Sequence, residues 1–369
     1  MRKNSIRFIG VAVLIVLLSG WGHTGHYKIS ERIGESLGNK IDGFGPWIKF
    51  IADHSSDPDY RKALDKSEGP KHYIDIDHYP EFQKTGKINS SLDTLIARYG
   101  KSFVDEQGTL PWATLTAFDS LRYYFKQHDW HRARWWAANL SHYVGDGHMP
   151  LHITSNYNGQ DTGNKGIHSR YESNMISAYS KEITGHVKPA EYIGNTDSLI
   201  FGYLYKSTLL CDSIFNADNR ARQVANDTKS DAYLAALWKN TGQMTIEQFN
   251  EASYALSSLI YTAWVQAGSP DLSKSNTPEA NKPYDCEINS VILNPNDSLL
   301  TINFHIYKTG TYKIEIHDSE GMPAQKAGYW EKEPGDYSST ANINELKPGT
   351  YLVVLGCARY ASTRTIVKE

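Results

Sequence analysis

The stretch HYVGDGHMPLH, residues 142–152, begins and ends with a histidine and carries an aspartate four residues after the first. In a helix, His142 and Asp146 project from the same face about one turn apart. Pro150 disfavours helical geometry at the residue before it, so we expect the helix to end there and the chain to turn and present His152. Histidine and carboxylate side chains are common zinc ligands. The stretch predicts a metal site inside a helical domain; an ordinary surface or capped His–Asp pair is the alternative.

The other histidines support a shared site, because twelve of the 14 lie before residue 190. A second pair with the same four-residue spacing, His168 and Glu172, follows a loop rich in glycine and asparagine. Two further clusters stand upstream: WGHTGH at 21–26 and SSDPDYRKALDKSEGPKHYIDID at 55–77. Histidine titrates near neutral pH and is a frequent metal ligand. Four separated clusters in one domain therefore predict one common metal centre rather than four unrelated pairs.

The fold class follows from the change in hydrophobic pattern along the chain. Within 21–268, apolar residues recur at three- and four-residue steps, most clearly at 112–130, 131–146 and 245–264. This pattern predicts an all-α domain built as a helical bundle. Residues 269–285 are rich in serine, proline, asparagine and charge, which predicts a linker. Residues 286–369 contain short alternating or β-branched runs between turn signals, which predict a small all-β sandwich of about seven strands.

The N-terminus indicates export. Residues 1–20 combine a basic head, an apolar run from Phe8 to Leu18 and two small residues, which is the pattern of a signal peptide. The run is shorter than the roughly 20 residues that span a bilayer, although an uncleaved membrane anchor is the alternative. We therefore expect a secreted, periplasmic or cell-surface protein. Export permits disulfides, and Cys286 and Cys357 bracket the C-terminal region as a candidate pair.

As an ordered set, these motifs resemble those of the zinc-dependent phospholipase C and single-strand-specific zinc nuclease superfamily, over about residues 21–268. The shared features are a tryptophan at the mature N-terminus, Trp21, the run from His142 to His152, and HSRYE at 168–172. The resemblance implies a helical fold that binds three zinc ions and hydrolyses phosphodiesters. It also implies that the free amine of Trp21 takes part in metal binding.

The resemblance implies a ligand set for each ion. The first zinc has three ligands besides an upstream aspartate: His72, His142 and Asp146. For that aspartate, Asp57 fits best by its 15-residue distance to His72, and Asp59 is the alternative. The second zinc has the ligands His152, His168 and Glu172. The third zinc has Trp21, His26 and Asp146, so that Asp146 bridges two ions. Asp57 is also the candidate to orient or deprotonate the attacking water.

These ions define the expected reaction. Zinc lowers the pKa of bound water towards neutrality, and paired ions stabilise charge on phosphorus. We therefore expect a secreted zinc-dependent phosphodiester hydrolase of the phospholipase C type, a branch that the pair Tyr171–Glu172 favours. WGHTGH and the spacing from Asp57 to His72 favour the alternative, a single-strand nuclease with 3'-nucleotidase activity. A metal-binding surface protein without catalysis is the third hypothesis.

Two residues are candidates for substrate binding. Tyr73 follows a ligand and is suited to stack on a base or to flank a choline-like head group, with ordinary packing as the alternative. Arg61 is a candidate phosphate contact, with an exposed arginine as the alternative. The expected partners are a phospholipid or nucleic-acid substrate and a membrane surface, and no motif indicates a stable protein partner. The net charge of −3 argues against tight binding of long nucleic acid.

The C-terminal region carries no candidate ligands. Its phrases GTYKIEIHDSEG, residues 310–321, and LKPGTYLVV, residues 346–354, resemble carboxy-terminal sorting domains of the type IX secretion system. A domain that only adds stability or adhesion is the alternative.

Overall fold

The computed structural model describes residues 21–62, 64–275, 285–294, 298–318, 323–357 and 360–368. A helical domain is followed by a domain of antiparallel β-sheets, which confirms the predicted fold class. The expected signal peptide, residues 1–20, lies outside the described residues. Within the described residues, no helix is both long enough and apolar enough to cross a membrane.

The described helices are numbered α1 to α14 in chain order. Their bounds are Gly22–Glu31, Ile33–Leu37, Gly45–His54, Asp57–Arg61, Pro80–Thr85, Leu92–Tyr99, Lys101–Glu106, Leu110–Lys126, Trp130–Gly147, Ile167–Ser169, Ile176–Tyr179, Thr196–Thr208, Cys211–Val224 and Asp231–Gln266. Short 3-10 segments lie at Gly69–His72, Ile76–His78, Pro150–His152 and Ser180–Glu182, and a π-helical segment lies at Arg170–Met175.

The helix α9 lies at the centre of the helical domain. The three segments with the clearest helical periodicity fall in α8, α9 and α14, and their apolar faces share one core with Trp21 and Trp47. From Ala137 to Gly147 every residue of α9 is buried, the polar ones included. A helix buried on all sides lies inside its domain. The polar residues His142 and Asp146 are therefore held in the interior.

The segment 269–275 packs on the helical domain, although composition predicts that the linker begins there. Leu272 is fully buried in the helical core. The indole of Trp264 donates to the carbonyl of Pro270 (2.9 Å), and the indole of Trp47 donates to the Ser275 hydroxyl (2.9 Å). One apolar side chain and two indole hydrogen bonds are enough to anchor a polar segment. The rest of the expected linker, 276–284, lies outside the described residues.

The described β domain contains seven strands in two sheets. The strands β1 to β7 are Cys286–Asn294, Leu299–Ile306, Gly310–His317, Pro323–Lys332, Gly335–Asn342, Gly349–Gly356 and Ala361–Lys368. Their order is β1-β2-β5 in one sheet and β4-β3-β6-β7 in the other, with every pair antiparallel. Residues such as Phe304, Ile314 and Val353 fill the space between the sheets. Cys286 and Cys357 both lie in this core but are not joined by a disulfide.

Truncation of Leu272 tests whether 269–275 belongs to the helical domain. Leu272→Ala removes a fully buried side chain, so the free energy of unfolding should fall by about 2–5 kcal/mol. Denaturant unfolding followed by the helical circular dichroism signal measures this change. The matched control is Leu209→Ala, because Leu209 is 80% exposed and its truncation should change the stability by less than about 0.5 kcal/mol. Equal stability of the two variants would contradict the packed position of the segment.

Candidate metal centre

The first cluster forms around α9. His142 and Asp146 lie on one face of this helix, with His142 Nε2 at 3.0 Å from Asp146 Oδ2. His72, at the end of a 3-10 segment, places Nδ1 at 3.0 Å from the same oxygen and at 2.8 Å from His142 Nε2. Asp59 in α4 completes the group, with Oδ1 at 3.5 Å from His72 Nδ1. One ligand atom from each of Asp59, His72 and His142 lies within 4.8 Å of the others, which is close enough to hold one ion.

The second cluster forms where the chain turns after α9. Pro150 begins the 3-10 segment that ends at His152, as the sequence predicts. His168 and Glu172 approach from α10 and the adjoining π-helical segment, with His168 Nε2 at 3.1 Å from Glu172 Oε2. His152 Nε2 lies 3.4 Å from the same oxygen, and the rings of His152 and His168 stack with centroids 5.0 Å apart. These three residues form a second group able to hold an ion.

The third cluster joins the N-terminal helix to α9. His26 in α1 stacks on His142 with ring centroids 4.1 Å apart and places Nε2 at 3.4 Å from Asp146 Oδ1. A Cβ atom at Gly145 would lie 2.8 Å from His26 Nδ1, so the absence of a side chain there permits the close approach. The indole of Trp21 donates to the Gly145 carbonyl (2.8 Å) and holds the start of α1 against the same turn. His26, His142 and Asp146 form the third group able to hold an ion.

Hydrogen bonds orient the histidine rings of the first two clusters. Three ring Nδ1 atoms face backbone carbonyl oxygens: His142 with Ser55 (2.7 Å), His152 with His72 (2.6 Å) and His168 with Tyr157 (3.1 Å). When Nδ1–H donates to a carbonyl, the lone pair remains on Nε2, which is the arrangement of histidines that bind metal. The three Nε2 atoms point into the two clusters. His72 is turned the other way, with Nδ1 in the first cluster and Nε2 at 3.7 Å from Glu68 Oε1.

Buried polar atoms without hydrogen-bond partners concentrate at these clusters. They include both nitrogens of His26, both carboxylate oxygens of Asp146, and one atom each of His152, His168 and Glu172. Buried polar atoms in folded proteins nearly always have a partner, so such a concentration calls for an explanation. Bound cations would satisfy these atoms together, because imidazole and carboxylate groups are the donors that zinc takes. The donor set therefore fits metal ions.

The electrostatic surroundings keep the carboxylates ionised. Burial favours the neutral form of Asp146, but His142 and His152 outweigh it and hold the pKa of this carboxyl well below its usual range. Burial acts the same way on Asp59, where Lys62 and His142 outweigh it and lower the pKa to about 2. Burial lowers the pKa of His26, which keeps this ring neutral. Anionic carboxylates and neutral imidazole are the forms that bind zinc.

The structure brings Asp59 to the first cluster, whereas the family resemblance favours Asp57 and gives Asp59 as the alternative. Asp57 points away from α9. Its Oδ2 lies 3.0 Å from His54 Nδ1 and accepts a hydrogen bond from the backbone N–H of Ala361 in the β domain (3.3 Å). The two aspartates are two positions apart in a helix, so they project to different sides. Asp57 is therefore placed neither to bind the first ion nor to orient a water there.

Lys62, and not Arg61, brings a cation to the first cluster. Lys62 Nζ lies 2.7 Å from Asp59 Oδ1. Arg61 is buried, and its guanidinium binds Asn139 and Glu68 (3.3 Å), the carboxylate that faces His72 Nε2 on the side away from the first cluster. Lys62 is not among the residues predicted from sequence, although its position three residues after Asp59 places both side chains on one helical face.

Glu68 and Tyr73 flank His72 on the chain. Glu68 accepts hydrogen bonds from Tyr143 and from Lys71 (2.9 Å), so this buried carboxylate is compensated on several sides while it faces His72 Nε2. Glu68 is not among the residues predicted from sequence, although it lies four residues before His72, the same spacing as in the other pairs. The Tyr73 ring is half-buried, and its hydroxyl donates to the Glu106 carbonyl (3.2 Å). Tyr73 follows His72 on the chain, and part of its surface is open to solvent.

Comparison with known proteins identifies the C-terminal domain. Residues 291–369 match the family model of the secretion system C-terminal sorting domain. The match confirms the expected localisation: the protein is secreted by the type IX system to the cell surface or beyond. No curated protein sequence matches the chain.

Two solved structures are similar to the chain over nearly its whole length. The α-toxin of Clostridium perfringens isolated from avian strain SWCP has 12% sequence identity and a TM-score of 0.45, with 95% of this chain and 99% of the toxin covered. The α-toxin of Clostridium absonum has 12% identity and a TM-score of 0.41, with 94% and 92% covered. At such identities and TM-scores the likeness carries no conclusion about activity.

Exchange of each aspartate in α4 separates their roles. Asp59→Asn removes an anionic oxygen from the first cluster, so the protein should retain about one zinc fewer than wild type. Asp57→Asn is the matched control and should retain the wild-type zinc content, because an amide oxygen still accepts from the Ala361 N–H. Metal analysis after dialysis against a zinc buffer measures both. Zinc loss from Asp57→Asn with retention in Asp59→Asn would reverse the assignment.

Proposed function

We propose that the protein is a secreted zinc-dependent phosphodiester hydrolase of the phospholipase C type with a three-zinc centre. One observation carries the proposal: three groups of buried histidine and carboxylate side chains converge on Asp146, whose two oxygens have no hydrogen-bond partner. The first ion would be held by Asp59, His72, His142 and Asp146. The second ion would be held by His152, His168 and Glu172. His26, Asp146 and the amine of Trp21 would hold the third.

The chemistry of the site suits an anionic substrate. Zinc ions bound there would act as Lewis acids and generate hydroxide at neutral pH. The carboxylates of Asp59, Asp146 and Glu172 offset part of the zinc charge and leave the centre cationic. Lys62 adds an ammonium beside Asp59, where it is able to pair with a non-bridging oxygen of a phosphodiester. Asp59 would in turn fix the position of Lys62 through their 2.7 Å ion pair.

A phospholipid is the substrate that we propose. Outside the site, the protein has no excess of basic residues to follow a nucleic-acid backbone, since its net charge is −3. Tyr73, which follows His72 and is partly exposed, is the candidate to flank a choline-like head group. The pair Tyr171–Glu172 belongs to the phospholipase branch of the resemblance. A nuclease would share the metal centre, so substrate comparison separates the two.

Zinc removal and loss of a ligand should both abolish hydrolysis. Purified protein should release phosphocholine from phosphatidylcholine vesicles, lose this activity with a chelator and recover it with zinc. His168→Ala should lower turnover by at least about a hundredfold, because it removes one of the three side chains of the second cluster. The matched control is His186→Ala, since His186 is exposed and lies outside the clusters.

The same assay contains the outcomes that would contradict the proposal. Hydrolysis of single-stranded DNA without release of phosphocholine would assign the nuclease activity instead. Activity that survives both chelation and His168→Ala would remove the metal centre from the reaction. Zinc binding without hydrolysis of either substrate would support a metal-binding protein without catalysis.

The third ion should depend on a free amine at Trp21. A peptide nitrogen cannot donate a lone pair to zinc, because resonance delocalises that pair. A terminal amine binds zinc once it is deprotonated. A chain that begins at Trp21 should therefore hold about one zinc more, and turn over faster, than a chain with a few residues left before Trp21. Equal zinc content and equal activity in the two chains would exclude the amine as a ligand.

A further inference from the structure

The short helix α4 is held between the two domains. It carries Asp59 and is followed directly by Lys62, both at the metal centre, yet Asp57–Arg61 spans only five residues. A helix of this length is not stable by itself, because the cost of nucleation exceeds the gain from its few hydrogen bonds. Its geometry therefore depends on what packs against it.

The β domain covers the side of α4 that faces away from the metal centre. Tyr60 forms a separate buried apolar cluster with Leu352, Val354 and Ala361, all on one outer face of the sheet β4-β3-β6-β7. The ring of His317, at the end of β3, meets Tyr60 edge-on with centroids 5.2 Å apart. The helical and β domains thus share a small apolar interface centred on Tyr60.

The strand β6 shows that this interface excludes solvent. Alternate residues of a strand face opposite sides of a sheet, and the outer face of a sandwich is normally solvated. The inner face of β6 fills the core between the sheets with Tyr351, Val353 and Leu355. The outer face carries Leu352 and Val354, which are buried as well. Both faces of this strand are therefore covered, the outer one by α4.

Hydrogen bonds extend the interface to the first turn of α4. The N–H of Ala361 donates to Asp57 Oδ2 (3.3 Å), and His54 Nδ1 lies 3.0 Å from the same oxygen. The other ring nitrogen of His54 lies 3.3 Å from the Tyr360 hydroxyl. Asp57, the residue for which the family resemblance implies zinc binding, thus ties α3 and α4 to β7.

We infer that the sorting domain is a structural part of the metal centre. Its docking on Tyr60 and Asp57 positions the helix α4. This helix in turn places Asp59 and Lys62 beside the first cluster, at His72 and His142. The inference rests on the proposed function in taking Asp59 as a zinc ligand. Val354 and Ala361 act as positioning residues through α4. Loss of the docked β domain should therefore weaken the first zinc site selectively and leave the second, which α4 does not touch.

Charge insertion at the interface tests the inference in the full chain. Val354→Asp places a carboxylate in the buried apolar cluster with Tyr60, whereas Val367→Asp changes the same residue type on the same face of the same sheet where it is 63% exposed. Val354→Asp should weaken the binding of one zinc by about tenfold or more, the range seen when supporting residues of metal ligands are lost. Val367→Asp should bind zinc as wild type does, and Val354→Ile should preserve the affinity. Zinc affinities come from competition with a chromophoric chelator.

The outcomes separate this inference from the proposed function. If the wild-type protein binds no zinc, the proposed function fails and the inference fails with it. If wild type binds zinc and folded Val354→Asp binds it equally well, only the inference is overturned. A Val354→Asp protein that loses all its zinc together with its helical circular dichroism has unfolded, and the milder variant Leu352→Ala/Val354→Ala then decides by the same criterion.

Hydrogen exchange in the full chain reports the same contact. The strand β6 stays bonded to β3 and β7 when the β domain undocks, so the amides of α4 alone should exchange faster in Val354→Asp than in Val367→Asp. Equal exchange of the α4 amides in the two variants would overturn the inference.

Discussion

The buried carboxylate of Asp146 is the constraint on which the helical domain depends. Its Oδ2 lies 3.0 Å from ring nitrogens of His72 and His142, and its Oδ1 lies 3.4 Å from His26. An ionised carboxylate in a protein interior is unstable unless nearby groups compensate it. Segments that are remote in sequence must therefore converge on one turn of α9. The proposed zinc ions would complete this compensation, so metal binding and folding of the centre are coupled.

Local features of the sequence allow the ligand-bearing segments to approach α9. Gly145 leaves room for His26, and Pro150 ends the helix so that His152 turns back towards the second cluster. The polar residues of α9 are tolerated in the core because backbone carbonyls orient their rings, as Ser55 does for His142. The same interior that excludes water also strengthens each electrostatic contact in the centre. The geometry of the site therefore depends on the packing of the helical bundle.

Sequence alone predicted the ligand pairs whose geometry residue spacing determines. It did not predict the ligand whose position depends on tertiary contacts. The four-residue spacings of His142–Asp146 and His168–Glu172 place each pair on one helical face, and the structure brings both pairs into clusters. The periodicity of α8, α9 and α14 and the alternation in the β domain predicted the fold class. The choice between Asp57 and Asp59 depends instead on which side of α4 meets the β domain, a contact between residues 304 positions apart. No local pattern carries that information.

Anomalous diffraction at the zinc absorption edge, from crystals of the mature protein, tests most directly whether the centre holds three metal ions and whether Asp146 binds two of them. Three peaks are expected. One should lie among Asp59, His72 and His142, one among His152, His168 and Glu172, and one beside His26, with the first and third both in contact with Asp146. Absence of peaks in zinc-replete crystals, or a peak bound through Asp57 with Asp146 unligated, would contradict the three-zinc centre.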